Sequence, residues 1–493
     1  MEVTGPVVSH PPAVFETHIS TVVFVGDRAF KFMKPLAMAF LDQSTVDKRR
    51  QACEAELFLN RRIAPDVYLG IGRVVEDDVV TDYFLVMRRL PATRRLSALV
   101  GSDEFPDAVR EVARTVASFH ARQQVTSLAA EMASIAGVGG LWTASIDEMQ
   151  LLDGDLVDNA QLDRIGEMAH RYLDGRGALF NNRERDGFAR DGHGDLLADD
   201  IFMMDDGPRI LDCLAFDERL RCGDVLLDVA FLAMDIERLG APAMADHLLE
   251  CYHEFSNEQH PRSLAHFYVA YRALVRAKVN LLRAAQGDNA ALTSAQNLLR
   301  QCEHHLREAV PVLLLVGGSP GTGKTTLAND LADALGLLVL SSDEVRKDLL
   351  GIAHDQHAFA SPGQGIYTPA ISAQTYEELI RHGRGILVLG ESVILDASWT
   401  RAEDRSAARR MGDEVGARVV ELRCDVAPEI AAQRIAARLQ TSDPSDATPE
   451  IAAHLRAHVD DWPESTTIDT QRPRDSTTRA AVAVYERARN FDG

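Results

Sequence analysis

The stretch RDGHGDLLADDIF, Arg190 to Phe202, sets His193 two residues before Asp195 and places Asp200 five residues after it. A few residues on, the apolar run RILD ends on a further acid, Asp212. Leu196, Leu197, Ile201 and Phe202 lie among these acids, so the segment reads as half-buried rather than as a solvated loop. Carboxylates gathered on two short, half-buried segments suit chemistry that needs oxygen ligands for a hard divalent cation and a group to take up a proton.

A second chemical signature begins at residue 318. Gly318, Ser319, Pro320, Gly321, Thr322, Gly323, Lys324 and Thr325 fit GxxxxGK[ST], with Thr326 next, between an apolar strand and an amphipathic helix. Glycines let backbone N–H groups converge on phosphate oxygens, and the helix N-terminus adds favourable partial charge. Lys324 is expected at the β- and γ-phosphates and the Thr325 hydroxyl on Mg²⁺, so ATP or GTP is expected to bind here.

Past the next strand, SSDEVRKDL places Asp343 and Arg346 three apart, where an open α/β sheet binds substrate. This resembles the P-loop small-molecule and polynucleotide kinases, including the zeta-toxin-like group. The resemblance implies that Asp343 orients and deprotonates an acceptor hydroxyl while Arg346 handles phosphate charge. A helix cap at Ser342 or Asp343 is the structural alternative. Asp396, ending VILD, would hold Mg²⁺ through water or orient the nucleophile. Arg434 and Arg438 in RIAAR resemble the lid that closes over the transferring phosphate, an exposed helix face being the alternative. Arg401 and Arg405 are further candidates for an anionic acceptor.

The first acid cluster resembles the catalytic and metal-binding segments of the aminoglycoside-phosphotransferase-like kinases, whose pattern is HGDxxxxN followed by an aspartate at a strand end. The resemblance implies Asp195 as base, Asp200 and Asp212 as Mg²⁺ ligands, and His193 as a brace of the loop. It also implies Lys31, in AFKFMKP, as the lysine on the α/β-phosphates. Its partner on the following helix is Glu56, or Glu54 two residues earlier, and YFLVMRRLP, 83–91, is the expected hinge for adenine. Two departures stand out: no Gly-rich loop covers the phosphates, and Asp200 replaces the usual asparagine. A lobe whose acids only brace loops is the alternative. The pairing of the halves resembles the group of bifunctional aminoglycoside phosphotransferase/ATP-binding proteins, on HGDLLADDIF, LDCLAFDERLR and LNRRIAPDVYLG.

The elements that must position these residues follow from pattern. Alternating runs flank Gly26-Asp27 as a hairpin. STVDKRRQACEAELFLNRRI has helical spacing with Ser44 as cap, and two strand-like runs surround Glu76-Asp77-Asp78. Helices dominate from about 103 to 309. From 311 on, VPVLLLVGG, LLVLSSD and GILVLGESVILDAS read as buried strands alternating with helices, hence a parallel sheet. TSDPSDATPE, 441–450, reads as a loop. The expectation is two domains: 1–305, an α+β bilobal protein-kinase-like fold, and 306–493, an α/β P-loop domain.

The chain's 493 residues exceed one hydrophobic core. No apolar run reaches the ~20 residues needed to span a bilayer, and no secretory signal is visible. Six singly placed cysteines suggest neither zinc nor disulfides and fit a reducing cytoplasm. The net charge of −22 would repel phosphate backbones and disfavours nucleic acid as a partner. The reading is a tandem phosphotransferase using ATP and Mg²⁺ on a small-molecule acceptor that is hydroxylated or amino-sugar-like. The alternatives are a P-loop kinase for a nucleotide or polynucleotide end, and a nucleotide-responsive binding protein.

Overall fold

The computed structural model describes residues 13–490 except 18, 38–40, 155, 355, 357–363, 439–451 and 453–456. The loop expected at 441–450 lies outside the described residues. By packing, the chain divides into two units. The first comprises 1–157, 180–260 and 268–302, and the second 158–179, 261–267 and 303–493. The expected cut near 305 is close to the last of these junctions, while the packing also groups 158–179 and 261–267 with the second unit.

The first unit opens with β1 (Ala13–Glu16), β2 (Ser20–Val25), β3 (Arg28–Met33), β4 (Tyr68–Glu76) and β5 (Val79–Arg88). They form an antiparallel sheet in the order β1-β2-β3-β5-β4. The β2–β3 turn is Gly26-Asp27, with Gly26 at φ +57°, the left-handed conformation a tight hairpin demands. Helix Val46–Asn60 packs on β4 and β5, burying Cys53 against Ala29, Tyr68 and Leu85. Its cap is Thr45, whose hydroxyl accepts the Lys48 N–H; Ser44, the expected cap, donates to Asp42 instead.

Helices supply most of the remainder, among them Phe105–Arg122, Val225–Arg238 and the part of helix Arg262–Ala285 from Tyr268 on. Two short antiparallel pairs stand among them: β6 (Ala189–Asp191) with β9 (Cys222–Asp224), and β7 (Ile201–Met204) with β8 (Gly207–Ile210). The unit is thus α+β, an antiparallel sheet at its start followed mainly by helices.

The second unit is built on a parallel sheet of β10 (Val312–Gly317), β11 (Leu338–Ser341), β12 (Val393–Asp396), β13 (Arg418–Asp425) and β14 (Thr466–Asp469), in the order β11-β12-β10-β13-β14. Every residue of β10 is buried, as expected of a strand covered on both faces. Helix Lys324–Leu335 follows it after the loop 318–323 and ends at Gly336, φ +67°. The run GILVLGESVILDAS is strand only over Val393–Asp396. Its first part closes helix Pro369–Leu387, where Ile386, Leu387 and Val388 pack on the sheet through a helical face. A short apolar run suits either structure, and here helical packing decides.

Candidate active sites

In the first unit, β3 carries Lys31 and the following helix carries Glu56, which faces inward. Lys31 Nζ lies 2.8 Å from Glu56 Oε1 and 2.6 Å from Asp212 Oδ1. Glu54, on the outer face, pairs with Arg50, so the helical register selects Glu56. Burial works against the Lys31 ammonium, but Asp212 and Glu56 more than offset it and hold its pKa well above the usual lysine value. The same lysine holds the Asp212 carboxyl below its ordinary range.

Asp212 itself adopts φ +66°, uncommon for a residue with a side chain. Its N–H donates to the Tyr68 hydroxyl at 3.1 Å, and the next N–H, of Cys213, donates to Asn60 Oδ1 at 2.9 Å. Asn60 also donates to the Glu56 carbonyl. Helix Val46–Asn60 and β4 therefore fix both the partner of Lys31 and the turn that presents Asp212.

The loop bearing Asp195 is braced by two buried acids that the sequence reading missed. Asp228 accepts the N–H groups of His193 and Gly194, both at 2.7 Å, and receives His120 Nε2 at 3.0 Å. Asp235 accepts the Ala198 N–H at 3.0 Å. Both stand on helix Val225–Arg238, which is buried from Val225 to Ile236. The signal was present in GDVLLDVAFLAMD: acids seven apart on an otherwise apolar helix need internal donors. Asp224 caps this helix and pairs with Arg183. His193 braces the loop through Nε2 and the Leu211 carbonyl, at 3.1 Å.

Burial pushes the Asp195 carboxyl up to about 6, Arg276 opposing and Asp212 adding to the shift. Asp200 is raised further, by burial and then by Asp212 and Asp195. Carboxylates that repel one another in this way fit a bound cation, which would relieve them. Among the described residues no group of three or more His, Cys, Asp or Glu side chains closes on one point. A Mg²⁺ held by Asp200 and Asp212 would complete its shell with phosphate and water oxygens.

In the second unit, the loop from Gly318 to Gly323 joins β10 to helix Lys324–Leu335. Gly318, Gly321 and Gly323 have φ +145°, +83° and +88°. At Gly321 a Cβ would lie 2.5 Å from the Ala431 carbonyl oxygen, so the close approach itself requires glycine. The Ser319 carbonyl accepts the Thr322 N–H and hydroxyl, tightening the loop between Pro320 and Gly323. Lys324 is buried at the helix start, while Thr325 and Thr326 are exposed.

Asp396, 1% exposed, ends β12 beside them. Burial raises its pKa, with Lys324 and the Thr325 hydroxyl opposing, and its Oδ1 has no hydrogen-bond partner. An orphaned buried carboxylate oxygen next to the P-loop hydroxyl fits a Mg²⁺ held by Thr325 and Asp396.

Asp343 and Arg346 pair at 2.9 Å, and the Arg346 guanidinium stacks 5.0 Å from the Tyr367 ring. The cap of their helix is Ser341, one residue before the expected candidates. Arg434 lies beside Gly323 and donates to the Thr470 carbonyl at 2.8 Å. Arg438 ends helix Pro428–Arg438, and its side chain lies outside the described residues. Arg405 is no acceptor ligand: it is 1% exposed and donates to the Trp399 and Asp461 carbonyls. Arg401 pairs with Glu403 on the surface.

Residues 313–461 match the family described as AAA domain. A putative kinase from Chloroflexus aurantiacus is 23% identical, covering 35% of this chain and 98% of its own, with a TM-score of 0.29. A choline/ethanolamine kinase family protein from Mesorhizobium loti is 14% identical, covering 61% of this chain and 92% of its own, with a TM-score of 0.37. An uncharacterised protein of Mycobacterium tuberculosis is 38% identical over 479 residues, 96% of this chain and 95% of its own. The chain belongs to the family of this mycobacterial protein.

Proposed function

We propose that the chain is a tandem ATP-dependent phosphotransferase, each unit binding Mg·ATP and at least one transferring the γ-phosphoryl group to a small hydroxylated or amino-sugar-like metabolite. The observation that carries this is the meeting of Lys31 with Glu56 and Asp212, residues 25 and 181 positions away in sequence. A structural ion pair needs one acid; a lysine held between two acids, beside a further pair at Asp195 and Asp200, suits a site for phosphate and a divalent ion. In the second unit the unpartnered Asp396 oxygen beside Thr325 supports the same reading.

Bound Mg²⁺ supplies charge neutralisation on the nucleotide phosphates. Asp195 accepts the proton of the acceptor hydroxyl, whose oxygen bonds to the γ-phosphorus as the bond to the ADP oxygen breaks. Lys31 stays ionised and faces the phosphates. In the second unit Asp343 takes the base role and Lys324 faces the β- and γ-phosphates, with Arg346 and Arg434 on phosphate charge. The buried cysteines and the absence of a disulfide among the described residues support a cytoplasmic setting.

The test is calorimetry with Mg²⁺ and a non-hydrolysable ATP analogue on the full chain. Two sites are expected, one lost in Lys31→Ala and the other in Lys324→Ala. A single site lost only with Lys324 would make the first unit a kinase-like lobe without nucleotide.

A further inference from the structure

The arginines around Asp195 differ in one respect. Arg62 and Arg221 both pair with Asp191. Arg272 donates to the Leu227 carbonyl at 2.9 Å and to that of Gly194 at 3.3 Å, with Phe231 under its guanidinium. Arg276 stands one turn further along helix Arg262–Ala285, on the same face as Arg272. Its Nε is sealed from solvent with no hydrogen-bond partner. Among the charges acting on Asp195 it is the strongest, ahead of Asp212 and Arg272. The catalytic loop is already tied down by Asp228, Asp235 and Arg272, so Arg276 is not needed to hold it.

We infer that Arg276 is the acceptor-binding residue of the first site and that the acceptor is a small hydroxylated anion, its carboxylate or phosphate held by the guanidinium while its hydroxyl faces Asp195. The inference rests on the proposed phosphotransferase and narrows its acceptor class. An acceptor whose hydroxyl reaches Asp195 brings its neighbouring substituents within range of Arg276. A guanidinium is weakly hydrated and presents a planar donor fork, which matches carboxylate and phosphate. An ammonium group placed there would meet like charge, which disfavours an amino-sugar acceptor at this site.

The test uses four acceptors on one three-carbon skeleton: glycerol, glycerate, glycerol 3-phosphate and 3-amino-1,2-propanediol. ADP release is followed on the full chain carrying Lys324→Ala, which silences the second site. One of the two anions is expected to exceed glycerol and the amine by about tenfold or more in kcat/KM, which also tells carboxylate from phosphate. Arg276→Gln is expected to raise KM for that anion about tenfold while kcat stays within about threefold, and Arg276→Lys to recover part of the loss. Equal or better turnover of glycerol or the amine would overturn the inference. So would an Arg276→Gln loss in kcat shared by all acceptors, because the arginine would then serve only Asp195. Lys31-dependent binding of the ATP analogue without turnover of any of the four would also overturn it, leaving the proposed function standing. Loss of that binding would instead refute the proposed function.

Discussion

Asp228→Asn tests the bracing of the loop that bears Asp195 with little change of side-chain volume. The carboxylate takes three hydrogen bonds, from the His193 and Gly194 N–H groups at 2.7 Å and from His120 at 3.0 Å. An asparagine keeps one oxygen, and its amide then faces a buried N–H as donor against donor. Losing one charge-assisted bond and leaving that donor unsatisfied costs about 3 kcal/mol, from roughly 1.5–3 for the bond and 1–3 for the stranded group, less relaxation. That corresponds to about a hundredfold rise in the opening equilibrium of the loop. Hydrogen exchange read by mass spectrometry on peptides covering 190–200 measures it directly, without requiring the two units to unfold together. Burial pushes the Asp228 carboxyl up, but His120 and the neighbouring charges more than offset this and hold it below the ordinary range. Its contribution is therefore complete above the unfolded carboxylate pKa and is lost as pH falls through the lower folded value. The protection lost in Asp228→Asn should accordingly be unchanged between pH 6 and 8, roughly two or more units above that unfolded value. Exchange within about threefold of wild type would refute the idea that this helix, rather than the loop's own turns, fixes Asp195.

Three other outcomes follow from the same geometry. Gly321→Ala places a Cβ 2.5 Å from the Ala431 oxygen at φ +83°, which costs about 1–2 kcal/mol in backbone strain alone, so calorimetry should lose the second nucleotide site and keep the first. His266 is held neutral, its pKa driven well down by burial and then by His305, Arg262, Arg489 and His304. The unfolded chain binds that proton at about pH 6.5 and the folded one does not, so stability falls as pH drops through this value; His266→Gln should flatten the dependence of Tm on pH between about 7.5 and 5.5. All six cysteines are buried and none is in a disulfide, and burial pushes the thiols of Cys53, Cys213 and Cys424 up to about 12. The native chain should resist iodoacetamide at pH 8, where labelling of intact protein by mass spectrometry is expected to report no rapid adduct, and full labelling only in denaturant.

The local signals were legible in the chain. A GxxxxGK[ST] loop demands glycine backbone freedom and a following helix, and both are written in consecutive residues from Gly318 onward. The Gly26-Asp27 hairpin and the all-apolar β10 are likewise set by short-range pattern. Less local features were read only as candidates. Glu54 and Glu56 differ by two positions, which on a helix is a change of face, and only packing against β4 and β5 decides which one meets Lys31. Arg401 and Arg405 read alike in sequence, yet one sits on the surface and the other is buried on carbonyls. The apolar run at 385–389 fits a strand or a helix equally well and became the end of a helix. Nothing local marks Asp228, Asp235, Tyr68 or Asn60 individually, because their role is to answer donors and acceptors on segments up to 153 residues away. Hydrogen-bond satisfaction in a dry interior is a property of the assembled fold. The sequence by itself determined which chemical groups are at hand, and the tertiary structure decided which of them meet.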